Sequence, residues 1–277
     1  MTSTGTNIRP GSSPEVARAL AGGGWAYAIG AVGIRCLNEG VEHELRQAIG
    51  GDDPMDLVHV GKLRTALTSA ENRYLVRELS WVLTIDGIDS YVLQPSDRSD
   101  LVSLPEAIRP DARGYGVDAV LGRIAGPAQV NAAHAQAPLP VLIFDQLHSF
   151  DADTFAKSLR EATGVAGIDS TFVADMLRTF TGISGPGLTG EHRALNYLVL
   201  RYPKLYQLAF DKAQEGLGLR SVRFSRPPVA GGRTLVVVLL TFHASVDSRV
   251  EKWSVRVDVT DKFPFLRGAL APHLLTS

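Results

Sequence analysis

The chain has 277 residues, 45% of them hydrophobic, and a formal net charge of -1. That length and apolar content fit a globular protein of one large domain or two modest ones. The near-zero charge gives no electrostatic case for nucleic acid or an anionic membrane, and the single cysteine, Cys36, excludes an internal disulfide and a Cys-based zinc knuckle.

Residues 1 to 23 read as a disordered leader, because Thr2 to Pro14 is polar and rich in Gly, Ser and Pro, with no apolar core of a signal peptide. Residues 24 to 277 then form the folded domain. Trp25 to Val32, aromatic and β-branched, starts a sheet. Glu39 to Ile49 places Val41, Leu45 and Ala48 on one helical face, and Gly50-Gly51 stops it. A longer helix is predicted from Val60 to Leu79, with Leu63, Ala66, Leu67, Ala70 and Tyr74 as its apolar stripe.

Trp81 to Gln94 reads as a β-hairpin about Asp86-Gly87, a pair suited to the two positive φ values of a type I′ turn. With two residues in the turn, Ile85 faces Ile88 and Trp81 faces Val92. Residues 95 to 139, punctuated by prolines, hold one strand at Val117 to Ile124. Val141 to Phe144 is a short buried strand followed by a loop. Asp151 to Glu161 and Asp169 to Phe180 are helical. After the link Gly182 to Gly190 comes a helix from Glu191, which Pro203 ends or kinks, and another from Lys204 to Gln214. Thr234 to Phe242 is nearly all apolar, as in a central strand covered on both faces. Trp253, Val255, Val257 and Val259 alternate with Ser254, Arg256, Asp258 and Thr260, as in a strand with one wet face. Hairpins flanking a helical middle make the fold class α+β, with antiparallel sheet hairpins and a helical middle segment. The longest apolar run, Leu235 to Leu240, has six residues, far from the roughly 20 that span a bilayer, so a soluble, cytoplasmic protein is expected.

Three places have chemistry to weigh. Gly185-Pro186-Gly187-Leu188-Thr189-Gly190 matches G-x-G-x-x-G ahead of a helix, but no strand precedes it and no acid follows at the required distance. It reads as a helix-leading loop with Thr189 as N-cap. Asp145, His148 and Asp151 follow the short strand and could bind a metal or pass a proton; equally, Asp151 is an N-cap and His148 a loop residue. Without a second ligand pair at a known spacing, no metal is expected. The other five histidines (His43, His59, His134, His243 and His273) are scattered.

The helix from Glu191 is the better candidate. Leu195, Leu198, Val199 and Tyr202 share a core stripe, while His192, Arg193 and Asn196 lie together on a neighbouring face. Glu191 sits in the first turn, where its charge suits the helix dipole. His192 beside Glu191 and Asn196 could act as a general base, so these three are the catalytic candidates. Arg193, Tyr197 and Arg201, with Asp145 and His148, are the candidate binding residues. The structural alternative is that Glu191 and Arg193 pair with Glu71 and Arg73 to lock two helices, leaving His192 and Asn196 facing outward. No G-x-S-x-G, H-E-x-x-H, P-loop or kinase signature is present. Asp258 reads as a strand end, Asp261 as the N-cap of a following helix, and Phe263 and Phe265 as anchors.

Six stretches in one order resemble a known family: Trp25-Ala-Tyr-Ala-Ile-Gly, Glu71-Asn-Arg-Tyr-Leu-Val-Arg-Glu-Leu-Ser-Trp-Val-Leu-Thr-Ile, Tyr91-Val-Leu-Gln-Pro, Phe144-Asp-Gln, Glu191-His-Arg-Ala-Leu-Asn-Tyr-Leu-Val-Leu-Arg-Tyr-Pro and Arg256-Val-Asp-Val-Thr-Asp-Lys-Phe-Pro-Phe-Leu. The family is the domain of unknown function at the C-termini of the PatA and PatG cyanobactin maturation proteases. There it usually follows a subtilisin-like protease that cleaves or macrocyclises ribosomal precursor peptides. This chain carries no Ser/His/Asp triad, so protease activity does not carry over, and the domain brings no catalytic residues or cofactor. The resemblance implies a free-standing accessory protein of ribosomal peptide maturation, binding a precursor peptide or a modifying enzyme. The alternatives are a peptide-modifying enzyme using His192 with Glu191 or Asn196, and a homodimeric scaffold joined through the strand of Trp253 as an exposed edge.

Overall fold

The computed structural model describes residues 24–51, 60–109, 117–128, 139–227, 232–244 and 248–273. The expected leader, His59 and His134 lie outside them. The elements fall into two compact units, Met1–Phe150 and Asp151–Ser277.

The first unit is a closed barrel of five strands: β1 (Trp25–Cys36), β2 (Leu79–Ile85), β3 (Ile88–Pro95), β4 (Val117–Ala128) and β5 (Leu139–Phe150), in the order β1-β2-β3-β5-β4. One strand closes it. The first half of β1 pairs with β4, from Trp25 opposite Arg123 to Gly30 opposite Asp118, and the second half pairs with β2, from Ala31 opposite Thr84 to Cys36 opposite Leu79. The changeover falls at Gly30, where a Cβ would stand 2.4 Å from the Thr84 carbonyl oxygen, so no larger residue fits without parting the strands. β3 and β5 run parallel and every other pair is antiparallel. This is the strand order of the five-stranded OB barrel. Tyr91, Leu83, Ile29, Phe144 and Ile124 are fully buried within it.

The β2–β3 hairpin turns at Asp86 (φ 50) and Gly87 (φ 76), and Ile85 faces Ile88 as expected. The rest of the expected register is wrong by one residue. A β-bulge inserts Ser90, so Leu83 faces Tyr91, and Val82 rather than Trp81 faces Val92. Trp81 instead lies opposite Ile34 of β1, and its indole N–H donates to the Val76 carbonyl at 2.9 Å.

The helices of this unit join its strands. α1 (Glu39–Ile49) starts at Asn38, whose side chain accepts from the Val41 N–H at 2.9 Å, and stops at Gly50, as predicted. The single helix expected from Val60 to Leu79 is broken. α2 (Val60–Thr68) ends where Ser69 turns extended (ψ 139), a 3₁₀ turn spans Ala70–Asn72, and α3 (Arg73–Glu78) leads directly into β2. The Asn72 amide donates to the Ala66 carbonyl at 3.0 Å and so satisfies the end of α2. The break turns Ala70 and Tyr74 outward and buries Leu75 and Val76 in their place. Between β3 and β4, where no helix was predicted, a 3₁₀ turn (Arg98–Val102) runs into α4 (Ser103–Ala107).

The second unit combines four helices with a sheet: α5 (Ala152–Thr163), α6 (Ser170–Ser184), α7 (Gly190–Arg201) and α8 (Pro203–Gln214). Three start on side-chain caps, of which Asp151 and Thr189 were predicted. Asp151 accepts from the Thr154 N–H, Asp169 from the Phe172 N–H and Thr189 from the His192 N–H. Pro203 opens α8 at its first turn, where its missing N–H costs nothing. The sheet runs β10 (Ala271–Pro272), β8 (Val250–Asp258), β7 (Leu235–Ala244), β6 (Leu217–Ser225), with β9 (Phe265–Leu266) also on β8.

Three expectations change here. β7 is central, but apart from Thr241 only its Val236, Val238, Leu240 and Phe242 face is buried; Leu235, Val237 and Leu239 are half-exposed. β8 carries partners on both sides, so the strand of Trp253 is not a bare edge. Asp258, placed on the wet face by alternation, is fully buried. Elements of both kinds, largely antiparallel and with the helices in separate runs, make the fold α+β.

Candidate functional site

α7 is where the sequence concentrated its polar groups, and the structure turns most of them inward. The Thr189 hydroxyl caps the helix and Glu191 follows in its first turn. Both Nε and Nη2 of Arg226 donate to the Glu191 carboxylate. Burial opposes ionisation of Glu191, but the hydrogen bonds from Arg226 and from its own first-turn N–H hold its carboxyl below the usual range. Arg193 is 6% exposed and points to the loop after β8. Its Nη1 donates to the Val259 carbonyl at 2.9 Å, and its Nη2 to the carbonyls of Lys262, at 3.0 Å, and Asp261. Burial pushes the Arg193 guanidinium down to about 10, against the attraction of Asp261. It therefore stays charged at neutral pH.

The same loop is held from its other end. Arg233 Nε meets Asp258 Oδ2 at 2.6 Å and Arg267 Nε meets it at 3.3 Å, while the Thr260 hydroxyl donates to Oδ1 at 2.7 Å. Burial works against the charge on Asp258, yet these donors keep its carboxyl far below the ordinary range. The helix expected after Asp261 does not form. Instead Phe263 and Phe265 are exposed, Phe265 lying between the guanidiniums of Arg233 and Arg267 at 5.6 and 5.3 Å.

So the predicted lock between two helices does not form, and the helix is tied to loops instead. Glu191 is held by Arg226 and Arg193 by main-chain carbonyls, in place of Glu71 and Arg73. His192 (8% exposed) and Asn196 (0%), expected to look outward, are buried. Helical spacing put them beside Arg193 correctly, but both sides of α7 are covered in the fold. Tyr197 is half-buried and Arg201 exposed. Of the three catalytic candidates, His192 and Asn196 are thus buried, while Glu191 stays partly open to solvent in its pair with Arg226.

The second candidate also moves. β5 extends to Phe150, so Asp145 and His148 are strand residues, not loop residues. Asp145 sits at a bulge, where Leu121 faces Gln146 and Gly122 faces Phe144. His148 faces Ala119, and its ring lies 5.6 Å from that of Phe150. Pairing with β4 makes this polar stretch a strand that its sequence did not announce. Among the described residues, no three His, Cys, Asp or Glu side chains gather closely enough to hold a metal ion.

An open pocket of about 470 Å³ in the first unit was not predicted. The end of α2 (Leu67), α3 (Arg73, Val76, Arg77), the 3₁₀ turn (Arg98, Val102) and α4 (Glu106) shape it. Its floor is aliphatic and three guanidiniums stand around it. Among the described residues, none of Arg73, Arg77 and Arg98 makes an ion pair or hydrogen bond. The one signal in the sequence was Arg73 and Arg77 four residues apart, a like-charged pair on one helical face.

Two family profiles match the chain: PatG Domain over residues 25–179, and PatG C-terminal over residues 170–273. Among solved structures the chain is similar to one described as "PatG Domain of Unknown Function", with 18% identity, a TM-score of 0.61, and coverage of 91% of this chain and 99% of that one. At that identity the likeness shows the shared fold alone. No curated protein matches. Among the described residues, no helix is long and apolar enough to cross a membrane.

Proposed function

Because the chain belongs to the PatG family, we propose that it serves the maturation of ribosomally made peptides of the cyanobactin kind as an accessory, non-catalytic protein. In this reading it binds a precursor peptide or a modifying enzyme. One observation carries the proposal: the first unit presents an open, aliphatic-floored pocket ringed by three guanidiniums with no protein partner among the described residues. Arginine and aliphatic surface together are what peptide recognition uses. The polar residues of α7, by contrast, are engaged in holding Arg226 and the loop after β8, which suits architecture better than turnover.

The test is isothermal titration of the full chain with cyanobactin-type precursor peptides and with the enzymes that modify them. A saturable heat is expected for at least one of them. No heat with any, at concentrations up to about 1 mM, sinks the binding role.

A further inference from the structure

We propose that the pocket between α3 and α4 takes an acidic peptide segment. Its carboxylates would meet Arg73, Arg77 and Arg98, and one of its aliphatic side chains would enter beside Val102. This inference rests on the binding role above and adds the place and the chemistry.

Three observations point the same way. First, α3 places Arg73 and Arg77 one turn apart on one face, an arrangement that weakens the short helix carrying it. Arg98 reaches the same pocket from a different connection of the barrel, so three cations from two segments share one small volume. Among the described residues the only carboxylate lining it, Glu106, forms no ion pair with any of them. Guanidinium forks suit carboxylates, which they bind through two parallel hydrogen bonds.

Second, the lining between the cations is aliphatic: Leu67, Val76, Leu101, Val102 and Pro105. Val102 is 64% exposed, a large apolar side chain left facing solvent beside the three charges. A simple anion would leave that surface wet; a peptide with carboxylates flanking a leucine or valine covers both kinds of group. Third, among the described residues no aromatic side chain lines the pocket. OB-type barrels that hold single-stranded nucleic acid stack bases on aromatic rings, and none of the described lining residues offers that contact. Glu106 adds direction, because the bound segment must keep its carboxylates towards α3 and the 3₁₀ turn.

The test is fluorescence anisotropy of the full chain with a labelled synthetic peptide of glutamate and leucine at helical spacing. The same peptide with lysine for glutamate, and a labelled oligothymidine, serve as comparison probes. Saturable binding of the glutamate peptide is expected, weakening as salt is added. Arg77→Glu and Arg98→Glu should each weaken it by roughly tenfold. Val102→Asp should weaken it too, whereas Lys204→Glu, on α8 in the other unit, should not. All four positions are exposed or at helix surfaces, and circular dichroism verifies that each variant folds. Equal binding of the lysine peptide, tighter binding of the oligothymidine, or affinity unchanged in both arginine variants overturns the proposal. If the precursor binds with heat that Arg77→Glu and Arg98→Glu leave intact, the pocket assignment fails while the binding role stands. If the glutamate peptide binds in an arginine-dependent way and no precursor does, the pocket stands and the pathway role fails.

Discussion

Asp118 offers the most quantitative test of the barrel. It lies on β4, 4% exposed, where its Oδ2 accepts from the Val32 N–H of β1 at 2.7 Å and its Oδ1 from the Ser149 hydroxyl of β5. It therefore ties three strands together at the point where the barrel closes. Burial raises its carboxyl from 3.8 to about 6, and the two hydrogen bonds and the nearby Arg109 only partly offset this. Because the folded value is raised, the protonated form is favoured by folding. That stability is complete below 3.8 and is lost as pH rises through about 6. At ~1.36 kcal/mol per pH unit between the two values, the loss totals about 3 kcal/mol by neutral pH. About 1.3 kcal/mol of it falls between pH 5 and pH 7. Asp118→Asn keeps an acceptor for Val32 and cannot ionise, so this dependence should vanish and the variant should be the more stable one above pH 7. Urea unfolding followed by tryptophan fluorescence at several values from pH 5 to pH 8 reads both chains; Trp25 and Trp81 belong to the barrel unit. Glu191 and Asp258, both held low, give stability that is lost only at more acidic pH, so they do not interfere in this window. Wild-type stability that is flat or rising from pH 5 to pH 7, with the same slope in the variant, refutes the reasoning.

Two further substitutions test the tie from α7 to its loop and the barrel seam. Arg193→Ala strips three buried or half-buried carbonyls of their donor, so unit two should lose about 3 kcal/mol and roughly 10 °C in melting temperature, read through Trp253. A shift below about 2 °C would mean the loop after β8 is held by other contacts. Gly30→Val would drive a side chain into the Thr84 carbonyl and should cost ~3 kcal/mol or more, leaving most of the protein aggregated. A soluble variant with unchanged melting contradicts the close approach of β1 and β2.

What the sequence made legible was local. Asp151 and Thr189 announced their helices because a cap contacts a backbone group three residues away or fewer, and Asn38 and Asp169 cap in the same way. Asp86-Gly87 announced its turn for the same reason. The misreadings arose where distant parts of the chain decide. Ser90 bulges because the barrel must coil, and the polar end of β5 is a strand because β4 pairs with it. Arg193 looked like a surface residue or one half of an ion pair. Its partners are carbonyls 66 to 69 residues away, and no periodicity reveals those. Asp258 kept strand alternation but was buried by Arg233 and Arg267, which come from segments on either side of β8. The pocket was hidden longest, since Arg98 joins Arg73 and Arg77 only after the barrel has brought its connections together.

The divided strand β1 also sets an order of events during synthesis. Its second half can pair once β2 emerges, but its first half waits for β4, about 90 residues further along. Contacts that distant in sequence form slowly, because a long loop must close before any pairing compensates for it. While the ribosome makes the intervening residues, Trp25 to Gly30 is an apolar strand with an open edge. On a nascent chain it is the segment most exposed to wrong pairing, and slowing translation before Val117 should raise the share of chains that aggregate.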